Sequence, residues 1–110
     1  MNRKPCLLID SRDNFGCRDG GFARELASQL VQDDVPVTLL LVQNGVLAAR
    51  PGAGGPALIE LARLGITVLA DEFSLRERGI DPQRLAPGVA ASPLDVVIDR
   101  MVEGWHVIWH

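Results

Sequence analysis

A chain of 110 residues is long enough for one domain with a real hydrocarbon core. With 47% hydrophobic and 23% charged residues it is globular rather than disordered. Its apolar runs are too short to cross a bilayer, and a net charge of −3 without a basic stripe argues against a nucleic-acid partner.

Residues 5–10 are predicted as a first strand. Cys6, Leu7, Leu8 and Ile9 form a short apolar run, ended by the polar stretch Ser11, Arg12, Asp13 and Asn14. That run is shorter than the core of a signal peptide and soon meets Asp10, Arg12 and Asp13, so no export is expected and the cytoplasm is the expected compartment. A glycine-rich connection over 15–21 holds Cys17. A helix is predicted over 21–32, with Phe22, Leu26 and Leu30 at four-residue spacing and Ala23 and Ala27 beside them. Asp19 is the expected cap.

The central strand is predicted from Val37 to the sharp stop at Gln43, Asn44 and Gly45. Leu39, Leu40 and Leu41 follow one another without a polar residue, the mark of a strand covered on both faces. One helical turn is expected over 46–49. A helix over 56–65 follows, opened by Pro56 and stopped by Gly65, burying Leu58, Leu61 and Ala62. Residues 66–70 read as a third strand, and Ser74 with Glu77 as the capping box of a brief helix that Gly79 ends. Residues 89–91 read as a short fourth strand. Pro93 opens a last helix whose inner stripe is Leu94, Val97, Ile98 and Met101 and whose stop is Gly104; residues 105–110 close the chain as a fifth strand. Strand and helix alternate about five times, with no repeat and no linker. That predicts residues 1–110 as a single domain: a three-layer α/β/α sandwich around a five-stranded, mainly parallel sheet of flavodoxin-like build.

In such sheets ligands bind beyond the carboxyl ends of the strands. Four groups of residues meet that criterion. Cys17 lies after the first strand and just before a helix start, beside Arg18 and not far from Arg12; cations and helix-end amides favour thiolate over thiol. Gln43 and Asn44 stand open between two readings, an amide pair holding a small ligand or oxyanion, or plain turn chemistry at Asn44-Gly45. Arg12, Asp13 and Asn14 form a polar rim on the same edge, to orient a substrate or simply to face solvent. Asp71 and Glu72 are adjacent and point in different directions, which favours capping over a shared-proton dyad.

No metal site is expected. Cys6 and Cys17 lack metal-ligand spacing, and His106 and His110, four residues apart on a strand, stand about 13 Å from one another. Cys6 reads as a small buried hydrophobe. Trp105 and Trp109 share the opposite face of that strand and read as core or subunit contacts. No cofactor is expected: the loop after the first strand has neither Gly-x-Gly-x-x-Gly nor Gly-Lys-Ser/Thr for a nucleotide phosphate.

Three segments, 41–46, 65–79 and 94–110, resemble in order and spacing the DsrE/DsrF/DsrH-like sulfur-relay superfamily over nearly the whole chain. The resemblance implies a small α/β/α sandwich with sheet order 4-3-2-1-5 and assembly into a homo-oligomer, a trimer or hexamer. It also implies sulfur carried as a persulfide between a donor and an acceptor protein. The family's usual cysteine follows the third strand, where this chain has Asp71-Glu72-Phe73. That pattern looks closer to the DsrH-like branch, whose members are often supporting subunits in a complex. The expected function is therefore that of an intracellular sulfur-relay protein, either a thiol or persulfide carrier through Cys17, with Arg12 or Arg18 steadying the anion, or a subunit of a sulfur-transfer assembly. The alternative is a non-catalytic binding or assembly module of the same fold.

Overall fold

In the computed structural model, which describes residues 4–13, 21–53 and 55–110, five short strands lie side by side and every pair is parallel. They are β1 (Cys6–Asp10), β2 (Val37–Leu41), β3 (Thr67–Asp71), β4 (Val89–Ser92) and β5 (His106–Trp109), in the order β4-β3-β2-β1-β5. The expectation of a mainly parallel sheet sharpens to a wholly parallel one. Helices α1 (Gly21–Gln32), α2 (Gly55–Arg63), α3 (Glu72–Glu77) and α4 (Asp95–Val102) make the crossovers, with a 3₁₀ segment over Gln43–Ala49. β1 and β2 are buried at every position, which is why Leu7-Leu8-Ile9 and Leu39-Leu40-Leu41 run without polar interruption.

The two faces of the sheet are unequally covered. On one, Leu8, Leu39, Leu41, Val68 and Ala70 pack against Ala23 and Ala27 of α1, Leu58 and Leu61 of α2, Leu75 of α3 and Val46 of the 3₁₀ segment. On the other, among the described residues, Leu7, Ile9, Leu40 and Val42 meet α4 through Val96 and Val97, together with Trp105. The helices do flank the sheet on both sides, and among the described residues one outer layer is the single short helix α4.

Several local expectations need correction. The strand expected to reach Gln43 ends at Leu41, because Gln43 turns into the left-handed region at φ 50°. β3 runs one residue further than expected, to Asp71, which then caps α3 itself: its Oδ2 accepts from the Ser74 N–H at 3.0 Å. Ser74 is therefore the residue capped, not the cap. In α1 the buried line is Ala23 and Ala27, while Phe22 is half exposed. The inner stripe expected for α4 is largely outside: Leu94, Ile98 and Met101 are exposed, and Val96 is the residue driven into the sheet. Apolar residues occupy most of that helix's circumference, so their spacing could not select the face that the sheet covers. The predicted cap Asp19 lies outside the described residues.

Candidate functional site

The carboxyl ends of β1, β2, β3 and β5 bring polar groups to one edge of the sheet. Asp10, the last residue of β1, is fully buried. Its Oδ1 accepts from the backbone N–H of Arg12 at 3.1 Å, and the Nδ1 of His110 lies 3.7 Å from the same oxygen. Ser11 pins the end of β5 to this corner, donating through both its N–H (2.8 Å) and its Oγ (3.1 Å) to the carbonyl of His110. The ring of Phe22, at the start of α1, lies 4.5 Å from the His110 ring. Residues 10 and 110 thus form one small cluster because β5 pairs in parallel with β1, Ile9 facing Trp109.

The end of β2 is fixed by backbone contacts to the same aspartate. The N–H of Val42 donates to the Asp10 carbonyl at 3.0 Å. Gly45 then passes so close to that carbonyl that a Cβ would overlap its oxygen, and this close approach is the physical reason for glycine here. Gln43, held at φ 50°, donates its N–H to the Oγ of Ser74 at 2.8 Å. Ser74 in turn donates its Oγ to Asp71 Oδ2 at 2.7 Å. A chain of hydrogen bonds therefore runs from the turn after β2 to the cap of α3. Asn44 is bound differently: its Oδ1 accepts from Nε and Nη2 of Arg78 at 3.3 and 3.1 Å, while Arg78 Nη1 donates to the Ser74 carbonyl at 3.2 Å.

Both earlier readings of the amide pair find something in this geometry. Gly45 and the Asn44–Arg78 contact are turn and packing features. Gln43, by contrast, has an exposed side chain on a backbone that costs a non-glycine residue about 1 kcal/mol or more, a kind of strain that gathers at working sites. Asp71 Oδ1 is buried and accepts no hydrogen bond from the described residues. Asp10 and Asp71 end strands that are two apart, roughly 10 Å across the sheet, so they form no carboxylate dyad.

Arg12 and Asp13 are exposed at this rim. Asn14, Cys17 and Arg18 lie outside the described residues; they fall in sequence between β1 and α1. Cys6 is buried within β1, and that burial raises its thiol pKa above the ordinary value, the profile of an inert core thiol. Among the described residues no group of three or more His, Cys, Asp or Glu could hold a metal ion, and no helix is long and apolar enough to cross a membrane. The residues missed by sequence reasoning are Asp10, Ser74, Arg78 and His110. Asp10 carried a signal, a charge closing a wholly apolar strand. The others depend on long-range pairing.

No family model and no curated protein matches the chain. Solved structures do resemble it. MTH1491 from Methanobacterium thermoautotrophicum, a protein of unknown function, superposes with a TM-score of 0.85 at 21% identity, over 98% of this chain and 100% of that one. The ychN protein from E. coli superposes with a TM-score of 0.82 at 17% identity, again over 98% and 100%. At such identities the likeness shows a shared fold.

Proposed function

We propose that the chain is a DsrE/DsrF-like sulfur-relay protein that self-associates, as a trimer or hexamer, in the cytoplasm, and that Cys17 is its sulfur-carrying residue. The observation that carries this reading is the end-to-end superposition on the ychN protein, whose fold is the DsrE/DsrF-like one, at 98% coverage of this chain. Cys17 falls between β1 and α1, the connection that opens at the same sheet edge as Asp10, Gln43 and His110.

The transfer balances without an oxidant. The Cys17 thiolate attacks the outer sulfur of a donor persulfide; the new S–S bond forms as the donor's S–S bond breaks, and the donor leaves as a thiolate. A thiolate of the acceptor protein then attacks the outer sulfur on Cys17, which departs as a thiolate in its turn. Arg12 and Arg18 offer positive charge to these anions, and the exposed amide of Gln43 offers a donor.

The second reading, a non-catalytic subunit or assembly module, is favoured by one feature. β3 ends at Asp71, which is engaged in capping α3, and Glu72 and Phe73 follow it, so this end of the strand offers no thiol to carry sulfur. Mass spectrometry after incubation with a small-molecule persulfide separates the two. The carrier reading expects the peptide containing Cys17 to gain one sulfur atom, and Cys17→Ser to lose that gain while keeping the fold and the oligomer. Sulfur found only on Cys6, or on neither thiol, leaves the assembly reading.

A further inference from the structure

β5 is the last strand of the sheet, and among the described residues nothing pairs with its outer side. Its inner side is committed to β1, with the N–H groups of His106 and His110 donating to Pro5 and Ile9 and, by alternation, that of Ile108 also facing inward. The N–H and C=O groups of Val107 and Trp109 therefore point outward. Edge strands are usually protected by lysine, proline or a bulge. The segment His106-Val107-Ile108-Trp109 has none of these.

The side chains on this strand add a second, independent observation. Val107 and Trp109 stand on the thinly covered face of the sheet, and Trp109 is 61% exposed. Trp109 borders a largely apolar groove of about 220 Å³ shared with Leu94 and with Asp95, Val97 and Ile98 of α4. Ile98 is 65% exposed, and Met101 and Val102 extend the same helix's apolar surface. Together these side chains expose on the order of 600 Å², at the upper limit of what a monomer normally shows. A standard interface buries about 800 Å² per partner, and burying this patch together with the backbone edge would approach that size.

We infer that the outer edge of β5 pairs antiparallel with β5 of a second copy about a twofold axis at Ile108, making one continuous ten-stranded sheet. The occupant is a second copy rather than a foreign strand because the edge complements itself. With the axis at Ile108, Val107 faces Trp109 of the other copy, and both are residues whose N–H and C=O point outward. Each such pair exchanges two hydrogen bonds, as an antiparallel ladder requires. Each indole then sits beside a small valine, and the two tryptophans become diagonal neighbours on one face, within aromatic reach. This inference specifies a surface for the self-association proposed above and rests on that association, but not on the thiol chemistry.

Val107→Pro tests it directly. Proline removes an N–H that the monomer does not use and is tolerated on an edge strand. The expected result is a fold unchanged by circular dichroism and a mass halved by sedimentation equilibrium, hexamer to trimer or dimer to monomer. Trp109→Asp should do the same. An unchanged mass in a folded Val107→Pro protein overturns the pairing. Should that variant misfold, Ile108→Cys in a Cys6→Ala, Cys17→Ser background decides. Across the axis residue 108 meets its own copy at about 4.5 Å between Cα atoms, within disulfide reach, so mild oxidation should give a covalent dimer in high yield. A wild-type oligomer without that cross-link, or one that is strictly trimeric, overturns this surface and leaves self-association standing; a wild-type monomer overturns both.

Discussion

Replacing Gly45 by alanine is the sharpest probe of how the sheet edge is built. The added methyl would overlap the Asp10 carbonyl oxygen, a backbone atom that cannot swing aside as a side-chain tip can. That same oxygen receives the Val42 N–H at 3.0 Å, and Gly45 itself donates to the Val42 carbonyl at 2.8 Å. Relief of the clash must move the end of β1 away from the turn after β2. Overpacking of this kind costs about 1–3 kcal/mol, and a weakened backbone hydrogen bond adds about 1 kcal/mol. Gly45→Ala should therefore lose about 2–4 kcal/mol, a large share of the ~5–15 kcal/mol that holds a domain folded. Urea denaturation followed by circular dichroism reads this as a lower midpoint with an unchanged slope, and a thermal scan should show a melting point lower by roughly 10–20 °C. A loss below about 0.5 kcal/mol would mean that the turn and β1 are not packed against each other as described, and the account of the edge would fall with it.

Asp71→Ala removes the acceptor of both the Ser74 N–H and the Ser74 Oγ and should destabilise by about 1–2 kcal/mol as a lost helix cap; stability equal to wild type in urea would show that the cap contributes nothing. Cys6→Ala should cost about 1 kcal/mol through the small cavity it leaves and should leave sulfur loading by a persulfide donor unchanged. The pH dependence of that variant carries a definite sign. Burial raises the Cys6 pKa above the ordinary 9.0, so the unfolded thiol ionises first and stability falls as pH rises past about 9. Wild type should lose stability there faster than Cys6→Ala, and parallel pH profiles for the two would contradict the burial argument. In the native protein Cys6 should resist alkylation at neutral pH and react only under denaturing conditions, which a peptide map after iodoacetamide treatment would read.

The fold was legible because its signals are local and redundant. The runs 6–10 and 37–41 could only be strands covered on both faces, and the bounds of α1 coincide with the expected 21–32 because apolar spacing and the polar turn at Asp33 and Asp34 agree. The site was legible only in outline. Gln43 was placed at the right edge, yet nothing local announces that it adopts φ 50° or that its N–H reaches Ser74, 31 residues away. His110 was read as an ordinary strand residue because its approach to Asp10 exists only once β5 lies beside β1. The stripe of α4 failed for a different reason: its apolar residues have two competing faces, and the sheet chose Val96.

The placement of β5 beside β1 also governs when the edge can come into being. The bond from Ser11 to His110 closes a separation of 99 residues, whereas β1 and β2 meet over about a third of that span. Tripling a closed loop adds only ~1 kcal/mol of chain entropy, but it forces an order. During synthesis β1 to β4 can assemble while β5 is still inside the ribosome, and the corner that joins Asp10, Ser11 and His110 must be the last part to form. Within a single copy β5 has one strand neighbour among the described residues, so in a dissociated copy the amides of residues 106–110 should exchange with solvent well ahead of those of β1 and β2.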